Sequence, residues 1–448
     1  MQERGSFSNK IGFVLAAAGS AVGLGNIWRF PYLAAKYGGM FLITYLILVV
    51  TFGFAIMLTE IAIGRKTGKS PIGAFAALHT KSKFIGWIAV IVVAIIFPYY
   101  GVIGGWVTKY FAVFLAGMNP SVETSAAFFS NSISHPVTPL IWHIIFMGLT
   151  ALVVVRGVEK GIETASRFMM PVLVVLTLVI AGYSFSLPNA LEGVKYYLIP
   201  DFSKLSAGMI LSALGQMFYS MSLAMGIMIT YGSYLRKQDD LEKSVSQIEI
   251  FDTGIAVLAG FMIIPAVYSF AGVAGLEKSG PGLMFITLPQ VFATMPFGRV
   301  IGVIFFLLVL FAALTSSISI MEALVSTLCD QFNLSRKKSS TIIFLWGLLI
   351  GALPSLGYSV LSHIRIMGMD ILDTMDFITN SVLMPLGALL TAVFVGYFLG
   401  TKEIADEVEL SSKFRRKKLY ILMIKYIAPI FILGILISSI LGAFGIQI

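Results

Sequence analysis

Gly19-Ser20-Ala21-Val22-Gly23-Leu24-Gly25-Asn26 interrupts an otherwise apolar stretch near the start of the chain, and Ile27-Trp28-Arg29-Phe30-Pro31 follows at once. A glycine costs a helix about 1 kcal/mol relative to alanine. An arginine near the centre of a bilayer costs at least ~2.5 kcal/mol on insertion scales. Such a run does not serve a continuous helix. It serves a helix broken on purpose, where freed carbonyls can hold an ion.

The chain has 448 residues, 58% of them hydrophobic and 12% charged, against roughly 25% charged in a soluble domain. This composition excludes a water-soluble core and implies a polytopic membrane protein. Apolar segments of about 20 residues fall near 11–35, 40–63, 84–116, 138–155, 164–187, 207–234, 246–273, 297–328, 339–357, 364–399 and 419–444. Eleven spans put the two termini on opposite sides. Lysines and arginines sit before the first segment and after the second, fourth, sixth, eighth and tenth, whereas residues 118–137 contain none. The positive-inside rule therefore places the N-terminus in the cytoplasm and the C-terminus outside. The net charge of +9 follows from these loops and suits an anionic membrane face rather than nucleic acid. The single cysteine, Cys329, excludes an intramolecular disulfide, and the four histidines show no metal-ligand spacing. The 274–296 connection, with Gly280-Pro281-Gly282 and an apolar turn, reads as a re-entrant lid.

A second interruption lies in the sixth segment, Gln216-Met217-Phe218-Tyr219-Ser220-Met221-Ser222-Leu223-Ala224-Met225-Gly226. Broken segments at the first position of each half point to an inverted-repeat transporter with its site at mid-membrane. The halves show no residue-level identity, so the repeat is inferred from the breaks.

The 19–31 run, the 216–234 run with Arg236-Lys237, and Leu314-Thr315-Ser316-Ser317-Ile318 together resemble the neurotransmitter:sodium symporter family, in particular its bacterial LeuT-like amino-acid branch. The resemblance covers nearly the whole chain. It implies an all-α integral membrane protein in one transmembrane domain over 1–448. The domain would be a LeuT-type 5+5 inverted repeat (about 8–187 and 206–399, plus an extra helix at 419–444) with helices 1 and 6 broken. It further implies a bacterial plasma-membrane location and a monomer or weak dimer.

By the same resemblance, a first sodium is held by the Ala21 carbonyl, the Asn26 amide oxygen, Ser220 and Asp252, with the substrate carboxylate completing its shell. A second is held by the Gly19, Val22 and Ala312 carbonyls with the Thr315 and Ser316 hydroxyls. Taken alone, Thr315-Ser316-Ser317 reads more simply as packing hydroxyls that bond their own i−4 carbonyls; beside the first break it reads as ligands. Tyr100 matches the tyrosine that contacts the substrate carboxylate, next to Ser20, Ala21, Gly25 and Ser220. Ile96, Tyr219, Ser222, Met225, Ser316, Ser317 and Ile320 form the side-chain pocket. Ordinary helix packing is the alternative for Tyr219 and Met225. Monoamine-type relatives carry an aspartate where Gly23 stands, so the substrate here brings its own carboxylate. The pocket is largely apolar and uncharged, which implies hydrophobic L-amino acids, aromatic or large branched ones favoured.

Tyr45, Gln216 and Ser220 match the neighbourhood of the chloride site of animal relatives. Asp252, one turn from Ala256, would replace that chloride, so no chloride is expected; it could also carry a proton on the return step. A helix-end aspartate is the alternative reading. Arg29 and Asp376 would form an outer gate bridged through water. Arg4 and Asp330, with Phe7, Ser233 and Tyr234 nearby, would form the inner one. Gly161 and Pro171 match a Gly-x9-Pro element that unwinds to hydrate the second sodium site. An enzyme would need paired acids or a histidine cluster in the membrane; Asp373 and Asp376 are the nearest pair, and Arg29 explains one. A channel or a non-transporting amino-acid sensor of the same fold is the remaining alternative.

Overall fold

The computed structural model describes residues 5–118, 120–276 and 282–443. Among them there is no β-strand, only an isolated bridge between Ile366 and Met369. The chain runs through α1 (Lys10–Ala21), α2 (Gly25–Tyr37), α3 (Gly39–Thr67), α4 (Thr80–Leu115), α5 (Ser125–Ser134), α6 (Thr138–Val154) and α7 (Val158–Phe185). It continues through α8 (Ala207–Ser220), α9 (Ile227–Gly232), α10 (Leu241–Phe270), α11 (Leu283–Thr294), α12 (Gly298–Phe332), α13 (Arg336–Leu356), α14 (Ile371–Leu399), α15 (Thr401–Glu409) and α16 (Lys417–Gly442). Among the described residues eight helices are long and apolar enough to cross a membrane, and ten if the two bent pairs α1–α2 and α5–α6 each count as one span. α8 and α9 flank a further interruption.

The expected break in the first segment is present. α1 and α2 meet at a 51° bend, and helical geometry is lost at Val22 and Gly23. The second falls at residues 221–226, where Ser222, Ala224 and Gly226 all take φ between 53° and 69°. Two of these carry a Cβ, which resists the left-handed conformation. Their surroundings over-determine it, as at functional sites. Several boundaries move outward from the expected segments: α10 begins at Leu241 and α4 at Thr80, because polar ends extend a helix that hydropathy counts only across its apolar middle. Conversely, residues 364–370 form turns rather than the start of α14. The expected lid contains a formed helix, α11, whose Phe285 lies against Trp106, Tyr110, Phe129 and Phe306; residues 277–281 of it lie outside the described residues.

α12 packs along α4, α7 and α1, and α10 along α7, α1 and α2. Small residues allow the closest approaches. A Cβ added to Gly64 on α3 would sit 2.0 Å from the Ile229 carbonyl oxygen, and one on Gly232 2.3 Å from that of Ile61. α9 is thus seated backbone-to-backbone on α3, which fixes the lower half of the second break. Outward faces stay apolar: Leu349 is 71%, Phe398 79% and Ile430 70% exposed, the surface of a protein solvated by lipid.

Candidate functional site

The two breaks meet directly, beside α12. The Ser20 carbonyl, just before the first break, accepts from Ser222 Oγ in the second (3.1 Å) and from Ser316 Oγ on α12 (3.0 Å). Gln216 Nε2 donates to the Gly25 carbonyl at 2.8 Å, fixing the start of α2. Between these elements lies a cavity lined by Ser20, Ala21, Gly23, Leu24, Gly25, Ile96, Tyr100, Tyr219, Ser222, Met225, Ser316 and Ile320. Ten of these were expected at a substrate pocket. Gly23 and Leu24 join them because the unwound backbone itself forms a wall. The Asn26 and Ile27 amides donate to the Gly23 carbonyl at 3.1 and 3.4 Å, and the Gly23 amide to Asn26 Oδ1 at 3.0 Å, which shapes the turn; the N-terminal end of α2 favours an anion through its dipole. The Tyr100 hydroxyl is buried and has no well-formed hydrogen bond, so a donor stands ready there. A Cβ on Gly23 would come 2.4 Å from Ser316 Oγ and 3.4 Å from the Tyr100 hydroxyl, and one on Gly25 2.8 Å from the Tyr219 ring. This corner is open only because both residues are glycine.

Two expected pocket residues do not line it. Ser317 is a correction: its Oγ accepts from Thr150 Oγ1 on α6 at 3.0 Å. It follows Ser316 by about 100° around the helix, so only one of the pair can face the cavity. Ser220 lies behind the wall, where its Oγ donates to Asp252 Oδ1 at 2.8 Å.

Asp252 is fully buried. Asn26 Nδ2 donates to its Oδ1 at 2.7 Å, and Tyr45 lies 3.4 Å from its Oδ2. Among the described residues no cationic side chain pairs with it. A buried carboxylate with only neutral donors is costly, and a small cation beside Asn26 and Ser220 would relieve that cost. At the other proposed ion site, Thr315 Oγ1 lies 3.5 Å from the Val22 carbonyl oxygen and 3.0 Å from those of Ala312 and Phe311. One hydroxyl hydrogen cannot satisfy three acceptors. A cation placed among these oxygens would use the lone pairs left over. Gly19 abuts this cluster, since its added Cβ would be 3.3 Å from Thr315 Cβ. Ser316 is turned instead toward the Ser20 carbonyl.

At one end of the site the Arg29 guanidinium lies 5.6 Å from the centre of the Tyr219 ring. Asp376 accepts from Tyr99 at 3.1 Å and from Asn380. Among the described residues no direct ion pair joins Arg29 to Asp376. At the other end Phe7 packs edge-on against Phe13, Tyr231 and Tyr234, and Ser8 N donates to Glu163 at 2.8 Å. Arg4 lies outside the described residues; its expected partner Asp330 accepts from Ser70 N at 2.8 Å. Gly161 and Pro171 both sit in helical α7, whose first turn, Val158–Glu163, is widened. A Cβ on Gly161 would lie 2.2 Å from the Val153 carbonyl oxygen.

Glu60 was not anticipated. This buried carboxylate in the last third of α3 accepts from Ala224 N, inside the second break, at 2.8 Å. The signal was an acid within an apolar span, which reads as functional by default. Glu60→Ala is expected to leave the Ala224 amide without an acceptor. It should cost about 1–3 kcal/mol, read as a lower thermal midpoint in detergent, with Glu60→Gln restoring most of it.

The model of the sodium:neurotransmitter symporter family matches residues 4–135 and 123–445. The chain is 37% identical over 442 residues to an uncharacterized sodium-dependent transporter, YhdH, of Bacillus subtilis, covering 97% of each. It is 27% identical over 468 residues to the human sodium- and chloride-dependent GABA transporter 2, covering 91% of this chain and 75% of the relative. The crystal structure of MhsT in complex with L-phenylalanine superposes with a TM-score of 0.90 at 38% identity, covering 97% of this chain and 100% of the other. With broken helices facing across an uncharged cavity and this match along nearly its full length, the chain belongs to the sodium:neurotransmitter symporter family of sodium-dependent membrane transporters.

Proposed function

We propose that this transporter carries hydrophobic L-amino acids, aromatic or large branched ones favoured, in symport with sodium and without chloride. The observation that carries the reading is the cavity between the two breaks. The start of α2 at Gly25 and the Tyr100 hydroxyl face the cavity where a carboxylate would sit, while Ile96, Met225 and Ile320 present an uncharged wall. Methionine adapts to irregular and aromatic guests. That MhsT was crystallised with L-phenylalanine supports the same class.

In this mechanism one sodium binds beside Asn26, Ser220 and Asp252, adjoining the substrate carboxylate, so that neither cargo binds well alone. A second binds among Gly19, Val22, Ala312 and Thr315 and joins α1 to α12. The fixed charge of Asp252 takes the place of a chloride. Release toward the cytoplasm requires the N-terminal segment to leave Glu163 and the widened turn of α7 to unwind between Gly161 and Pro171. Arg29 and Asp376 close the outside through intervening water, a contact weak enough to reopen. The chain crosses the membrane eleven times as two inverted repeats and a final helix, with its N-terminus in the cytoplasm.

The test is uptake into liposomes under an imposed sodium gradient, with each of the twenty amino acids as competitor. Leucine, phenylalanine, tryptophan and tyrosine should compete best, and uptake should persist when gluconate replaces chloride. Stronger competition by lysine or glutamate would overturn the substrate class, and loss of uptake without chloride would overturn the role of Asp252.

A further inference from the structure

The segment between α14 and α16 straps the end of the helices that carry the site, and two sets of basic residues stand out in and around it. The first set is internally neutralised. Arg65, at the end of α3, is buried and pairs with Glu407 of α15 at 2.9 Å. Glu407 also takes Lys237, from the turn after α9, at 2.9 Å. The backbone amides of Arg415 and Arg416 donate to Glu242 on α10 at 2.7 and 3.0 Å. The Arg416 guanidinium turns inward, 3.3 Å from Glu249 and over the Phe54 ring. Glu249 is one turn of α10 from Asp252. Phe414 is buried against Tyr420. The second set is Lys413, Arg415 and Lys418, all exposed. Among the described residues none has a carboxylate partner, and all three stand immediately before or within the first turn of the membrane helix α16. Below them Leu422 and Tyr426 are 48% and 52% exposed, an apolar and aromatic band of the kind found at a membrane interface.

We propose that Lys413, Arg415 and Lys418 bind the headgroups of anionic lipids, and that this contact keeps the strap and its inward Arg416 seated on α3 and α10. Charge complementarity selects the partner. The inward cations already have carboxylates, as does Lys417 with Glu409 at 2.9 Å; among the described residues Lys413, Arg415 and Lys418 have none, and they precede or open the membrane helix α16 beside an apolar band. Anionic headgroups attract each such cation, and the lipid tails would lie along α16. The strap reaches α3 with Glu60, the turn that follows α9, and α10 with Asp252. Lipid occupancy therefore sets how firmly one end of the transporter is closed, and hence its turnover.

The experiment compares wild type, K413Q/R415Q/K418Q, the charge-retaining K413R/R415K/K418R, and a K81Q/K83Q/K337Q control that removes three other exposed cations. Phosphatidylglycerol retained by the purified protein is counted by native mass spectrometry, and uptake is measured in phosphatidylcholine liposomes with and without phosphatidylglycerol. The glutamine triple is expected to lose retained lipid, with affinity falling about fivefold per removed cation. Its uptake should no longer respond to phosphatidylglycerol, while the charge-retaining triple and the control behave as wild type. Equal retention by the glutamine triple, or equal loss by the control, would overturn the proposal. Lipid retention is read without transport, so it stands apart from the proposed substrate, and in symmetric liposomes it does not depend on which face is cytoplasmic.

Discussion

Asp252→Ala is expected to weaken sodium-stimulated amino-acid binding at least roughly a hundredfold, because removing one partner of a buried charge pair costs about 3–5 kcal/mol. The carboxylate sits fully buried among Asn26, Ser220 and Tyr45. All three are neutral, so a bound sodium would be its one full countercharge. The same variant tests the chloride argument. With the carboxylate gone, the hydroxyls of Tyr45 and Ser220 and the Asn26 amide surround a space suited to an anion. Chloride added to the buffer should then recover part of the sodium response, while wild type stays indifferent to it. Equilibrium binding of a labelled hydrophobic amino acid at graded sodium, with and without chloride, reads both effects. Unchanged sodium dependence in the variant would remove Asp252 from the ion site. A sodium response lost in chloride and gluconate alike would leave it in the site without the chloride-replacing role.

Gly23 carries the second large expectation. A methyl group there would stand 2.4 Å from Ser316 Oγ. Gly23→Ala must therefore rotate Ser316 off the Ser20 carbonyl and fill the corner in which the substrate carboxylate would sit. Affinity for the amino acid should fall at least tenfold. Thermal stability should change by about the value of one hydrogen bond, 0.5–1.5 kcal/mol. Gly23→Asp should go further. Its carboxylate would repel that of an amino acid and attract an amine, so binding of phenethylamine relative to phenylalanine should rise. A Gly23→Asp protein that keeps its preference for phenylalanine would place the substrate carboxylate elsewhere.

Much of this site could be read from the chain because its chemistry violates its surroundings. Glycines, hydroxyls and an asparagine in apolar helices mark both breaks, and Ile96 and Tyr100, four residues apart, share a face of α4 by helical period alone. Ser317 shows where such reading stops. Thr315, Ser316, Ser319, Glu322 and Ser326 share one side of α12 by its helical period, but the helix is buried nearly all round, so the sequence does not reveal which neighbour that side faces. The assignment of Ser316 to the cavity and Ser317 to Thr150 depends on the rotation of the packed helix. Glu60 and Arg416 were overlooked for a related reason. Glu60 is a lone acid in an apolar span and Arg416 is one of five basic residues within 413–418, and the meaning of each depends on a partner far along the chain, Ala224 for one and Glu242 with Glu249 for the other.

The sequence by itself determined that this is a helical membrane protein, where its first and sixth apolar segments break, and which residue types crowd the breaks. Local energetics decide these matters: backbone entropy, side-chain transfer into lipid, and the intrinsic reluctance of glycine and asparagine to continue a helix. Only the tertiary structure decided that the two breaks face each other, that Glu60 accepts from an amide of the second, and that the 401–418 segment ties α3, the turn after α9 and α10 together. Those contacts join residues more than 150 positions apart. They exist only once buried helices have been rotated against one another, and in an apolar solvent that rotation is set by close packing and buried hydrogen bonds rather than by any pattern along a single helix.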